Sequence, residues 1–189
     1  VRRPPFFEFA DVTVKNGDWR KLMKYNKTAI IGISAELIPY IENPEDEGYL
    51  RLKNQLRQKI MGEIGCGINR FVTGMHRGVD LLASETVLEI KEKMPLISLD
   101  CAFPYEAQAA DWPERERDRY FDIASKCTRE FMISNSYYDG VEQKLNEYLL
   151  KFSDSVIAVW DSRIDTTARL IADARRGGKR IVIIDPREV

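Results

Sequence analysis

The stretch Gly74-Met75-His76-Arg77-Gly78-Val79-Asp80 sets two glycines around a turn that carries the chain's one histidine and an arginine. Glycines let backbone N–H groups face a ligand closely, a following helix adds the positive end of its dipole, and Arg77 adds a fixed charge. An anion such as a phosphate would suit that combination. So would an ordinary tight strand-to-helix turn, because the pattern is neither a full G-x-G-x-x-G nor a P-loop. His76 fits a ligand hydrogen bond or plain solvent exposure. In the first case affinity should change between about pH 5.5 and 7.5, around the ordinary histidine pKa. A lone histidine cannot build a histidine-rich metal site, so neither a metal nor another cofactor is expected.

Three other places have suitable chemistry. Gly32 and Ser34 stand in Gly32-Ile33-Ser34, where glycine allows close approach of a ligand or of a helix, and the serine hydroxyl can donate to a phosphate or hydroxyl. Phe103-Pro104-Tyr105-Glu106, Gln108 and Trp112 form an aromatic and polar group that suits either local core or stacking on a base. Asp161, Ser162 and Arg163 precede Asp165-Thr166-Thr167, in which Asp165 or Thr166 is a good helix N-cap. No Ser-His-Asp elbow, Walker lysine or zinc-type cysteine pair is present in the sequence.

All four places follow short apolar runs. Thr28 to Ser34 (TAIIGIS), Arg70 to Thr73, Leu96 to Phe103, Glu130 to Ser134, Ser155 to Trp160 and Arg180 to Asp185 read as six strands. Between them lie helices over Tyr49 to Ile64, with Leu52, Leu56, Ile60 and Ile64 on one stripe, Val79 to Lys93, Pro113 to Lys126, Gly140 to Phe152 and Thr166 to Arg176. Such alternation implies right-handed crossovers. The expected fold is therefore α/β: a single Rossmann-like, doubly wound, mostly parallel sheet with helices on both faces. Ligands of such sheets bind outside the carboxyl ends of the strands, where the four candidate places lie. The boundaries expected are an extended N-terminal arm over 1–27, with Phe6, Phe7, Phe9 and Trp19 packed on the domain, and the Rossmann-like domain over 28–189.

The chain has 189 residues, enough for one substantial core, and its 29 basic against 30 acidic residues leave a formal charge of -1. No global field draws it to nucleic acid or to a membrane. Arg115, Arg117, Arg119, Lys126 and Arg129 concentrate charge in one segment, but the interleaved Glu114, Glu116 and Asp118 argue for an exposed helix laced with salt bridges. Cys66, Cys101 and Cys127 are odd in number and widely spaced, which reads as buried thiols in a reducing cytosol. No run reaches the roughly 20 apolar residues of a membrane span, so a cytoplasmic protein is expected.

In this order, FVTGMHRGVDLLASE, AFPYEAQAADWPERERDRY, QKLNEYLLKFSDSVIAVWD and TTARLIADARRGGKRIVIIDP resemble the YpsA-like branch of the SLOG superfamily. That superfamily joins the DNA-processing (SMF/DprA) proteins to the LOG phosphoribohydrolases. The resemblance runs from about Ala29 to Pro186 and implies a Rossmann-like domain that binds a nucleotide or nucleotide-derived ligand. It places Gly74, Gly78 and Asp80 in the pocket, together with Asn146 and Glu147 of the segment KLNEY, and it aligns Trp112 and Tyr120 with the branch's tryptophan and tyrosine. The departures matter as well. Where the branch ends its first strand in Thr-Gly-His-Arg-Pro, only Gly32 is kept before Ile33-Ser34-Ala35. His76-Arg77 replaces small or apolar residues, Leu145 stands where an arginine is common, and Asp165-Thr166-Thr167 replaces a Gly-Gly-Thr turn. A carboxylate at that turn should weaken phosphate binding there or favour a less anionic ligand.

Three functions remain open on this reading. A binding or sensing domain for a nucleotide-derived small molecule needs only the glycine turn, a crevice and a few polar groups. A phosphoribohydrolase would cleave an N-glycosidic bond, but the LOG proline-glycine-glycine signature is missing and Ala172 lies where an acid would be needed. Single-stranded DNA binding, as in the DNA-processing relatives, needs a basic groove with stacking platforms, which the balanced charge does not favour. A homodimer is compatible with all three.

Overall fold

The computed structural model describes residues 26–189, so the proposed N-terminal arm lies outside the described residues, save Asn26 and Lys27. Six strands, β1 (Lys27–Gly32), β2 (Arg70–Thr73), β3 (Ser98–Tyr105), β4 (Arg129–Ser134), β5 (Ser155–Val159) and β6 (Arg180–Ile184), form one sheet in the order β4-β3-β2-β1-β5-β6. Every neighbouring pair is parallel. The expected mostly parallel sheet is thus parallel throughout. Chain order reverses between β1 and β5, which is the switch point of a doubly wound sheet, and the fold is Rossmann-like.

The helices are α1 (Glu47–Gly65), α2 (Val79–Lys93), α3 (Glu114–Lys126), α4 (Val141–Lys151) and α5 (Thr166–Arg176). Alternation along β1 decides which layer each meets. Ile30 packs with Leu52, Leu56 and Ile60 of α1, Leu82 of α2 and Ile123 of α3, whereas Ala29 and Ile31 pack with Leu145 and Leu149 of α4 and Ile171 of α5. The two cores lie on opposite faces of the sheet. Central strands are buried on both faces, which is why they read as unbroken apolar runs.

Element ends moved for local reasons. The first strand was expected to reach Ser34 but stops at Gly32, because Ile33 donates to Val159 at 3.1 Å and Ser34 then opens a 3-10 turn over Ala35–Leu37. Strand β3 runs to Tyr105, two residues further than expected, through Pro104. Among the cysteines Cys101 is buried, but Cys66 is exposed and Cys127 half-buried, which corrects the expectation of three buried thiols. The charged helix α3 is only partly a solvated face. Glu116 is buried, and Arg119 bonds it at 2.9 Å while also reaching Glu85 of α2 at 2.8 Å.

Beneath the amino ends of the strands sits a buried ionic group. Asp100 Oδ2 accepts from Lys27 Nζ at 2.6 Å and from Arg70 Nη2 at 3.0 Å, with the Asp100 side chain fully buried. Burial pulls the Lys27 pKa down, and the hydrogen bond to Asp100 opposes that pull. This end of the sheet is fixed by charge pairs. The opposite end is where the loops open a crevice.

Candidate functional site

Outside the carboxyl ends of β1 and β5 lies a crevice of about 510 Å³. Its wall includes Gly32, Ser34, His76, Arg77, Asp80, Trp112, Asn146, Asp165, Thr166 and Thr167, all of which the sequence singles out. Gly74, Gly78 and Glu147 do not line it. Glu147 faces solvent and pairs with Lys144 at 3.1 Å, one helical turn away.

The glycine turn is packed by the protein itself. Gly78 has a φ of 83°, and a Cβ there would stand 2.9 Å from the Cβ of Ala35, so this position needs glycine for conformation and space. A Cβ on Gly74 would meet His76 and Asp80 at 3.0 and 3.1 Å. One amide of the turn is already used, since the His76 N–H donates to Asp80 Oδ2 at 3.2 Å. Gly32 lines the crevice, but a Cβ there would lie 2.4 Å from Val79 Cβ. Close packing of β1 on the start of α2 accounts for that glycine.

His76 is held between two carboxylates. Its Nδ1 is 3.1 Å from Asp80 Oδ2 and its Nε2 is 2.9 Å from Glu142 Oε2. With both ring nitrogens facing acceptors the imidazolium is the form that satisfies the geometry. Burial works against that charge, but the hydrogen bonds to Asp80 and Glu142 outweigh it and push the pKa up to about 10. Arg77 is held likewise. Its Nε donates to Glu42 Oε1 at 3.1 Å, its Nη2 contacts the same oxygen, and Glu36 lies 4.0 Å from Nη1. The Ser34 hydroxyl donates to Glu36, which holds that carboxyl below the usual range.

Across the crevice Asp165 caps α5 by accepting the Ala168 N–H at 2.8 Å, and Thr167 donates to the Gly32 carbonyl at 3.1 Å. The Asn146 amide and the Thr166 hydroxyl have no hydrogen-bond partner among the described residues. Trp112 packs edge-on against Tyr120 with ring centroids 5.3 Å apart, and Leu149 and Leu170 add apolar wall. Tyr120 itself is buried, its hydroxyl donating to Gln108 at 3.4 Å, while Gln108 donates to the Gly74 carbonyl at 3.3 Å. These two support the turn from within the core. Sequence reasoning missed Glu142, Glu36 and Glu42. Glu142 follows the peripheral strand β4, and no local pattern announces that α4 brings it to His76.

A family model described as the YspA SLOG family (YpsA) matches residues 34–180. The chain belongs to that family. Among related sequences, the UPF0398 protein BH1768 of Halalkalibacterium halodurans is 31% identical over 116 residues, covering 60% of this chain and 61% of that protein. A UPF0398 protein of Levilactobacillus brevis is 26% identical, covering 64% of this chain and 65% of its own. The chain thus spans about three fifths of the length of these relatives. In solved structures its fold resembles DNA processing protein A from Helicobacter pylori, which binds single-stranded DNA. The TM-score is 0.53 at 18% identity, over 89% of this chain and 69% of that one. DNA processing protein A of Streptococcus pneumoniae gives 0.54 at 11% identity, over 85% of this chain and 51% of that one. At those identities the likeness to DNA processing protein A is one of fold. Among the described residues no helix is long and apolar enough to cross a membrane, and no three His, Cys, Asp or Glu side chains gather as a metal site.

Proposed function

We propose that this SLOG domain binds a nucleotide-derived small molecule in the crevice at the β1/β5 switch point, as a binding or sensing module of the bacterial cytoplasm. The observation that carries this reading is the wall itself: Trp112, Asn146 and Thr166 line one cavity of about 510 Å³, and the Asn146 amide and Thr166 hydroxyl have no hydrogen-bond partner among the described residues. That volume is of small-molecule size, and the groups match a base and a sugar better than an extended polymer. The phosphoribohydrolase alternative is less well supported, because two of the acids that line the crevice, Asp80 and Glu142, are engaged with His76 and a third, Asp165, caps α5.

A thermal-shift screen against nucleosides, nucleotides, cyclic nucleotides and ADP-ribose derivatives tests it. A ligand at about 100 times its Kd adds roughly 2.7 kcal/mol of stability, a readily measured shift. The competing possibility follows from the fold likeness to DNA processing protein A. Tight binding of a labelled single-stranded oligonucleotide that weakens steeply with salt, with no small-molecule stabilisation, would replace our reading with that one.

A further inference from the structure

The crevice holds cations, yet none of them is open. Both cationic side chains and two of the backbone amides there are engaged by carboxylates of the same chain: the His76 ring by Glu142 and Asp80, the His76 N–H by Asp80, the Arg77 guanidinium by Glu42, and the Ala168 N–H at the start of α5 by Asp165. We propose that the crevice selects the nucleoside part of its ligand, an uncharged sugar bearing neighbouring hydroxyls, and turns away a terminal phosphate. This rests on the nucleotide-derived reading above and narrows it.

The wall carries four carboxylates, Glu36, Asp80, Glu142 and Asp165, against two cations, His76 and Arg77, both already paired. Ionised carboxylates only accept hydrogen bonds, and so do the oxygens of a phosphate at neutral pH. A phosphate entering here would meet acceptors and like charge. Were it to displace Glu142 from His76, the freed carboxylate would remain within a few ångströms, beside Asp80, and the new pair would form at the expense of the old. Sugar hydroxyls behave oppositely. Each donates as well as accepts, so a ribose can donate to Asp165 Oδ2, whose sister oxygen is spent on the helix cap, and can accept from Thr166. The Asn146 amide, with donor and acceptor both unused, suits the polar edge of a base, and Trp112 supplies an apolar flank. None of these contacts requires an existing ion pair to break.

The test uses the imidazole C–H resonance, which belongs to His76 without further assignment because the sequence holds one histidine. Adenosine, guanosine, cytidine and uridine are titrated against their 5′-monophosphates, with inorganic pyrophosphate alone as a separate arm. For the base that binds most tightly, the nucleoside should bind about tenfold or more tightly than its monophosphate, the size of one unfavourable charged contact. Millimolar pyrophosphate should leave the wild-type resonance in place. In Glu142→Gln, which keeps the size of a side chain that is 47% exposed, pyrophosphate should shift the resonance and the preference for nucleoside should fall. Glu42→Gln should act in the same direction through Arg77. A monophosphate that binds the wild type as well as its nucleoside, or a saturable pyrophosphate response in the wild type, overturns the proposal. So does an E142Q variant with an unchanged preference. If no nucleoside or nucleotide binds at all, the nucleotide-derived reading fails. The pyrophosphate arm then still decides whether the crevice excludes anions.

Discussion

Glu142 Oε2 lies 2.9 Å from His76 Nε2 although 66 residues separate the two in sequence. The pair joins the loop before α2 to the first turn of α4, helices on opposite faces of the sheet. It also moves the pH window of the site. The sequence alone places a histidine effect at about pH 5.5–7.5, but the raised pKa of about 10 keeps the imidazolium charged through that range. A folded pKa above the unfolded value of 6.5 means that the stabilisation is full below pH 6.5 and is lost as pH rises through about 10. The side chain is 45% exposed, so solvent screens the pair and the stability effect should be small. An NMR titration of the single imidazole should give a midpoint well above 6.5. His76→Ala should flatten the difference in melting temperature between pH 6.5 and 10. A wild-type midpoint near the free-histidine value would mean that the carboxylates do not clamp the ring in solution.

Gly78 does not line the crevice, and a substitution there should act through folding. Its φ of 83° and the 2.9 Å approach to Ala35 make Gly78→Ala strained and crowded at once. A loss on the order of 1–3 kcal/mol is expected, read by urea unfolding. Affinity of the folded variant for any crevice ligand should stay near wild type, which is the reverse of what an anion-binding glycine turn would give.

Gly32 and Val79 should be energetically coupled. A Cβ at position 32 would lie 2.4 Å from Val79 Cβ, so Gly32→Ala is expected to cost about 1–3 kcal/mol. Trimming Val79 to Ala relieves the overlap with its branched methyls, and the double variant should recover part of that loss. A double-mutant cycle measures it. Additive costs would show that the two methyls of Val79 contribute nothing to the crowding at position 32.

Asp100→Asn should be among the most damaging single changes. It leaves Lys27 buried without its counter-charge and weakens the bond to Arg70. Breaking a buried pair from one side costs on the order of 3–5 kcal/mol. Chemical denaturation should report this. The crevice, at the other end of the strands, should bind as before in whatever fraction remains folded.

The fold was legible because its signals are local and repeated. Six apolar runs, four-residue spacings such as Leu52-Leu56-Ile60, and the Asp165 cap each specify their element without help from distant residues. The position of the crevice followed from strand polarity alone. Its chemistry was less legible, because it depends on which side chains meet across the sheet. His76 and Arg77 could be placed at the carboxyl edge, but their partners Glu142 and Glu42 come from other elements and read in sequence as surface acids. Gly74 and Gly78 looked like ligand positions because glycine freedom serves a ligand and a tight turn equally well. Only the neighbours, Ala35 and Asp80, separate the two.

Because all six strands run in one direction, the loops divide into two populations that never mix. Those leaving a strand for a helix form the rim of the crevice. Those returning from a helix to a strand, such as the one carrying Leu96, lie at the far end, and Leu96 is 89% exposed. That far end is therefore a place to attach a fluorophore, immobilise the protein or lengthen a loop without touching the crevice. Swapping the rim loops instead should change the crevice wall on an unchanged chassis.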